Sequence, residues 1–261
     1  MGLLLLLLVA AAATAPAADA WGKEGHYMVC KIAESFLTKE ASTAVKELLP
    51  GWAGGELAET CSWADTQRFR YRWSSPLHFA DTPGDCEFDY AHGTPLSCRA
   101  FTRQRSNRLA GVCHAVPVPA NANGWVVVVG VRGPDDSVRA TEVWDVNVIE
   151  TAMKDFYGND QSTMIQAIQQ NITEEWADEE KKWEACRSRT KTCADKYAAE
   201  SAKLACTAYE GVDQDSTLED DYFFAALPVV QKRIAQGGVR LAAILNRIFG
   251  GNSRSGFRAV D

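Results

Sequence analysis

An all-α fold is predicted by two features of this sequence: apolar residues recur at helical spacing through most of the chain, and strand-like alternation is almost absent. A third observation bounds its size. With 261 residues and 46% hydrophobic content, the chain has enough apolar surface for one real core.

Leu3 to Val9 is an unbroken apolar run, followed by an Ala-rich stretch with Pro16 and then Ala18-Asp19-Ala20. That order reads as a secretory signal peptide over residues 1–20, cut immediately before Trp21, although no Lys or Arg precedes the apolar run. The run is far shorter than the roughly 20 residues that cross a bilayer, and no later segment is long and apolar enough, so no membrane anchor is expected.

Residues 21–249 read as a single helical domain. Tyr27, Val29, Ile32, Ala33, Phe36 and Leu37 mark the first helix, and Ala44, Val45, Leu48 and Leu49 the second, stopped by Pro50. Residues 61–73, rich in Trp and Arg, predict a third helix or helical turn leading into an extended Pro76-Leu77-His78-Phe79. The helical period returns from Val143 to Tyr157 and continues from Met164 to Ile172 after a Gly158-Asn159 break. Residues 174–185 and 194–209 are charged, Ala-rich and helical in composition. Phe223 to Phe249 reads as a pair of apolar-faced helices interrupted by Pro228 and Gly237-Gly238, and the polar tail at 250–261 is expected to be disordered.

One stretch departs from this pattern. Residues 92–141 contain neither Lys nor Glu, have no helical period, and carry the run Val126 to Val129 between prolines and glycines. It reads either as a loop and hairpin insertion or as the product of altered splicing or a misread frame, and the second reading is preferred.

Eight cysteines behind a signal peptide read as a disulfide framework whose connectivity the sequence alone leaves open. Asn171-Ile172-Thr173 is an N-glycosylation sequon, consistent with the secretory pathway. The net charge of −7 argues against tight polyanion binding through a basic surface, so any nucleic-acid partner requires another source of positive charge, and bound metal is the obvious one.

Candidate metal ligands lie outside the aberrant stretch: the amine freed at Trp21, His26, Asp65, His78 and Asp145. Imidazole nitrogen and carboxylate oxygen suit zinc, and an α-amino group with a pKa of about 7.7 to 8.0 deprotonates readily to coordinate a metal. Singly, each reads as a surface Asp, a helix cap or a core histidine. Their contexts together overturn that.

The segments Trp21-Gly-Lys-Glu-Gly-His26, Cys61-Ser-Trp-Ala-Asp65, His78-Phe-Ala-Asp81-Thr-Pro83, Val143-Trp-Asp145 and Asn171-Ile-Thr-Glu-Glu-Trp176, in that order, resemble the plant branch of the S1/P1 nuclease family. The resemblance covers residues 21 to about 91 and 143 to about 249. It implies a helical fold related to phospholipase C and hydrolysis of single-stranded DNA and RNA to 5′-phosphate products, with 3′-nucleotides as further substrates. Three zinc ions serve that family; fewer are expected here. By carry-over, Trp21 and His26 hold one zinc, Asp65 and His78 a second, and Asp145 contributes to the third. Asp65 is thereby catalytic, and Arg68 faces the scissile phosphate. Phe79 stacks on a base and Asp81 hydrogen-bonds it, which favours unstacked single strands. The zinc cluster supplies a hydroxide nucleophile near neutral pH and stabilises the departing oxygen, which answers the charge problem. The resemblance also pairs Cys30 with Cys61, Cys86 with Cys206 and Cys186 with Cys193, leaving Cys98 and Cys113 unassigned. A monomer is expected, extracellular or vacuolar.

The family pattern further requires His-x3-Asp-x5-His between the second and third zinc segments, and a histidine four residues before the last Asp. Only four histidines exist, at positions 26, 78, 92 and 114; Leu96 follows His92 and Val118 follows His114 at the spacing where Asp is required, and Thr141 stands four before Asp145. Four ligand positions are therefore empty, including the Asp that bridges two zincs, and the expectation is an impaired chain. Two competing readings are a noncatalytic isoform binding nucleotides on the same scaffold, and a zinc phospholipase C. The base-binding pair Phe79 and Asp81 and the plant-type cysteines count against the second.

Overall fold

The computed structural model describes residues 21–77, 143–185, 193–208 and 218–250. Among these the secondary structure is helical, with no strand. The expectations placed on His78, Phe79, Asp81, Cys86, Cys98, Cys113, Cys186 and the 92–141 stretch lie outside the described residues.

Helix α1 (Lys23–Ser35) has Glu24 in its first turn, where the helix dipole favours negative charge, and buries Met28, Ile32 and Ala33. Helix α2 (Lys39–Leu48) is capped by Thr38, whose hydroxyl accepts from the Ala41 amide at 3.2 Å. Two 3-10 turns, Gly51–Ala53 and Leu57–Thr60, then lead to the short α3 (Trp63–Gln67). A disulfide joins Cys30 on α1 to Cys61, with Cα atoms 6.4 Å apart, and fixes this connection to α1. Arg72–Leu77 forms a further 3-10 helix, so Pro76 and Leu77 belong to a helical turn, and not to the extended segment expected of them. Pro is tolerated there because tight turns accept its fixed φ.

After the undescribed interval, a π-helical turn (Val143–Asn147) runs directly into α4 (Val148–Phe156). Asp160 caps α5 (Gln161–Thr173) by accepting from the amides of Ser162 and Thr163 at 3.0 and 3.2 Å. Helix α6 (Ala177–Glu184) presents Trp183 to Trp176, with ring centroids 5.9 Å apart. Helix α7 (Ala194–Ala208) follows Cys193, which also forms a disulfide.

The last element corrects the sequence reading. Asp220–Phe249 is one continuous helix, α8, where a pair was expected. Pro228 removes one backbone donor, but Ala226 and Val230 on either side are buried, and core packing overrides the local cost. Gly237 and Gly238 do not break the helix either. A Cβ added at Gly238 would lie 2.5 Å from Ile32 Cγ2 and 3.1 Å from the Val29 carbonyl oxygen, so the glycine permits close approach of α8 to α1.

Helix α8 is the axis of the domain. It packs against α1, α2, α4, α5 and α6, and Val230, Ile234, Ala235 and Val239 meet Met28, Ile32, Ile149, Met164 and Ile168 in one apolar core. Asn246 ties its far end back, accepting from the Thr38 amide at 2.8 Å and donating to the Phe36 carbonyl at 2.9 Å. No helix of the described residues is long and apolar enough to cross a membrane.

Candidate metal centre

Three segments far apart in sequence meet at the start of α1. Trp21 is 1% exposed and forms part of the core. Its neighbour Gly22 donates its amide to the Asp145 carbonyl at 2.9 Å, which pins the beginning of α1 to the π-turn. A Cβ at Gly22 would sit 2.8 Å from Val146 Cγ2, and one at Gly25 would sit 2.8 Å from Trp21 Cβ. Both glycines of the opening motif therefore act as clearances: one lets the π-turn approach, the other lets the Trp21 side chain lie under the first turn of α1.

His26, on that first turn, faces Asp65 on α3, with Nε2 2.8 Å from Oδ2. The two atoms approach without the alignment of a hydrogen bond, and Nε2 has no hydrogen-bond partner among the described residues. Imidazole nitrogen and carboxylate oxygen are both donor types that zinc accepts. Arg68, which ends α3 one turn after Asp65, is partly buried, and this burial lowers its guanidinium pKa from the usual value; its charge lies 4.8 Å above the ring of the exposed Phe69.

Asp145 overturns the surface reading of that residue. It is 3% exposed, and its Oδ1 is buried with no hydrogen-bond partner among the described residues. Burial first, and then the negative charge of Asp65, pushes its carboxyl well above the ordinary carboxylate range. The Asp65 contribution places both carboxylates in one electrostatic neighbourhood. A π-turn carries Asp145, and Trp144 next to it holds that turn on α8 by donating its indole N–H to the Tyr222 hydroxyl at 2.5 Å, with the rings edge to face.

Thus the structure sets His26 against Asp65, with Arg68 one turn further on, and buries Trp21 and Asp145 at the start of α1, while His78, Phe79 and Asp81 are outside the described residues. Sequence reasoning missed Gly22, Gly25 and Tyr222. The first two were visible as glycines flanking a helix start; Tyr222 had no local signal, because its role depends on a contact 78 residues away.

The donor chemistry of these residues suits zinc, and a buried carboxylate oxygen with no partner is the kind of atom a cation satisfies. The number does not suffice. Among the described residues no three of His, Cys, Asp and Glu stand together so as to hold a metal ion.

Comparison with known proteins places this helical scaffold, with its buried Trp21 and its His26–Asp65 pair. The family description S1/P1 Nuclease matches residues 21–116 and 131–250. The chain is similar to Endonuclease 2 of Arabidopsis thaliana, 40% identical over 270 residues that cover 90% of this chain and 93% of the relative. It is also similar to Endonuclease 4 of the same plant, 37% identical with 89% and 90% covered, and to Nuclease P1 of Penicillium citrinum, 24% identical with 88% and 98% covered. The chain belongs to the S1/P1 nuclease family. The interval left unmatched, residues 117–130, lies inside the compositionally odd stretch.

Proposed function

We propose that this chain is a secreted member of a zinc-dependent phosphodiesterase lineage acting on single-stranded DNA and RNA and on 3′-nucleotides, and that its own turnover is impaired. The observation that carries the reading is the approach of His26 to Asp65, 2.8 Å apart, beside a start of α1 at which Trp21 and Asp145 are both buried. Relatives named endonucleases cover nine-tenths of the chain, which supports a nuclease ancestry. The impairment rests on the absent His-x3-Asp-x5-His and on Thr141 four residues before Asp145.

Zinc bound there would acidify water and polarise a phosphoryl oxygen. His26 and the Trp21 amine and carbonyl would hold one ion, Asp65 with His78 another, and Asp145 would be left as one ligand of a third. The remaining roles belong to the protein. Arg68 would draw a phosphate toward Asp65, and its partial burial would strengthen that attraction relative to bulk water. Phe79 and Asp81 would hold a base, Phe79 by stacking. The Cys86–Cys206 and Cys186–Cys193 bridges and glycosylation at Asn171, which is half-buried near the end of α5, complete a secretory-pathway reading.

Product analysis tests it. The mature chain from Trp21 is incubated with single-stranded oligonucleotide, a 3′-nucleotide and phosphatidylcholine, with and without added zinc. Slow, zinc-stimulated release of 5′-phosphate ends supports the proposal; cleavage of phosphatidylcholine alone points to a phospholipase, and nucleotide binding with no turnover to a noncatalytic isoform.

A further inference from the structure

Shortly after Asp65 the chain alternates cation and aromatic ring: Arg68-Phe69-Arg70-Tyr71-Arg72-Trp73. In an extended strand such alternation would send the two residue types to opposite faces. Here the backbone is coiled instead. The amides of Arg70 and Tyr71 both donate to the Gln67 carbonyl, at 2.9 and 2.8 Å, and the Ser74 amide donates to the Tyr71 carbonyl at 2.8 Å. These turns link α3 to the 3-10 helix Arg72–Leu77 with a rise per residue well below that of a strand, so rings and cations occupy one short stretch of surface.

The rings are exposed: Trp63 at 51%, Phe69 at 73%, Tyr71 at 40% and Trp73 at 55%. Arg70 and Arg72 are exposed as well. Two of the rings carry a cation, with the Arg68 guanidinium 4.8 Å from the Phe69 centroid and that of Arg70 5.6 Å from the Tyr71 centroid. A guanidinium covers one face of a ring, and an exposure of 73% leaves the rest of Phe69 open to solvent. The charge of the stretch also runs against that of the chain. Residues 62–77 hold three arginines and one carboxylate, Asp65, which His26 approaches at 2.8 Å, while the whole chain carries −7. Large aromatic side chains left in water beside a local positive charge suit a partner that is flat and anionic at once. An unpaired nucleotide is such a partner, because every base has a π face for a ring and every phosphate a charge for an arginine.

We propose that Phe69, Tyr71, Arg70 and Arg72 form a stacking track for single-stranded nucleic acid that leads away from Asp65. Unpaired bases stack on the open parts of the rings, and the two arginines hold the phosphates between them. The track rests on the nuclease reading for the identity of the strand. It adds to that reading a surface made of the chain's own side chains, distinct from Phe79 and Asp81, that holds a strand whether or not the zinc ligands are complete. A duplex keeps its bases stacked on one another and offers the rings no free face, so the track selects unpaired strands.

Fluorescence anisotropy measures binding without relying on turnover. The mature chain from Trp21 is titrated into a labelled phosphorothioate oligothymidylate of about twelve nucleotides, within the usual span of a single-strand site, and a gel confirms the probe intact afterwards. The expected result is saturable binding, at least roughly tenfold tighter than to the duplex with oligoadenylate. Phe69→Ala and Tyr71→Ala each weaken it roughly tenfold, and Phe69→Trp restores it. Arg70→Gln and Arg72→Gln each lower the slope of log affinity against log salt by about 0.7. All four side chains are exposed, so these variants keep the wild-type thermal midpoint; one that unfolds shows its side chain to be packed and counts against the track. A wild type that does not bind, a duplex held as tightly as the strand, or ring variants that bind as wild type overturns the proposal. Capture by phosphatidylserine vesicles that the same variants lose, with no binding of the strand, assigns the surface to a membrane and overturns it too. The nuclease reading fails separately: binding without release of 5′-phosphate ends leaves the track standing, whereas turnover with unaltered binding in the ring variants keeps that reading and removes the track.

Discussion

Replacing Gly238 with Ala isolates the contact on which the α1–α8 packing depends. In an open helix this change adds about 1 kcal/mol of stability, because Ala loses less backbone freedom than Gly. Here the new methyl would meet Ile32 Cγ2 at 2.5 Å, Ile32 Cβ at 2.7 Å and the Val29 carbonyl oxygen at 3.1 Å. Ile32 is fully buried and β-branched, so it has little freedom to turn aside within a helix. Overpacking of a tight core costs about 1–3 kcal/mol, and contacts this short call for the upper end. Subtracting the propensity gain leaves a net loss of about 2 kcal/mol. Urea unfolding of wild type, Gly238→Ala, Ile32→Ala and the double variant measures it. Ile32→Ala alone should cost about 2–5 kcal/mol, but it removes the clashing Cγ2, so the double variant should lose at least 1 kcal/mol less than the sum, roughly. A stabilised Gly238→Ala, or strict additivity in the double, would refute the close-approach argument.

Further outcomes follow from other contacts. Removing the Cys30–Cys61 bridge by the double Ala substitution frees a loop spanning 31 residues of sequence and should lower stability by about 3–4 kcal/mol, read from the denaturant midpoint of oxidised wild type against the variant. At the start of α5, hydrogen bonds from Thr163 and Ser162 hold the Asp160 carboxyl below its ordinary pKa. A lowered folded pKa means that the cap stabilises above the unfolded value near 4 and fades as pH falls through the folded one. Asp160→Ala should therefore be less stable than wild type at pH 7 and converge with it in strong acid, while Asp160→Asn, which caps without titrating, keeps a pH-independent margin over Asp160→Ala; a pH-independent gap between wild type and Asp160→Ala would contradict the capping account. Gly25→Ala should push against Trp21, and tryptophan fluorescence should report a less buried Trp21 together with weaker zinc retention.

Most of the helical fold was legible because burial and periodicity coincide. Ile32, Ala33 and Ile168 lie fully buried on the apolar stripes that announced their helices. What failed was local punctuation. Pro228 and Gly237-Gly238 look like a break in the one-dimensional pattern, yet α8 continues through both because its neighbours on either side are held in the core. Pro76 and Leu77 mislead in the opposite sense, reading as extended and lying in a 3-10 helix. At the candidate centre, the residue types were readable from motif context, but the burial of Asp145 was not, since nothing local to Val143-Trp-Asp145 shows that a glycine amide from residue 22 will close over it. Long-range contacts, such as Trp144 to Tyr222, leave no periodic trace in sequence.

Zinc stoichiometry and turnover on single-stranded DNA, determined on the mature chain beside Endonuclease 2 of Arabidopsis thaliana, test the central claim most directly. Fewer than the three zincs of the family pattern, with activity far below that of the relative and lowered further by His26→Ala and Asp65→Asn, is the outcome the account predicts. Close to three zincs with turnover matching the relative would contradict it, and would show that ligands outside His-x3-Asp-x5-His complete the centre.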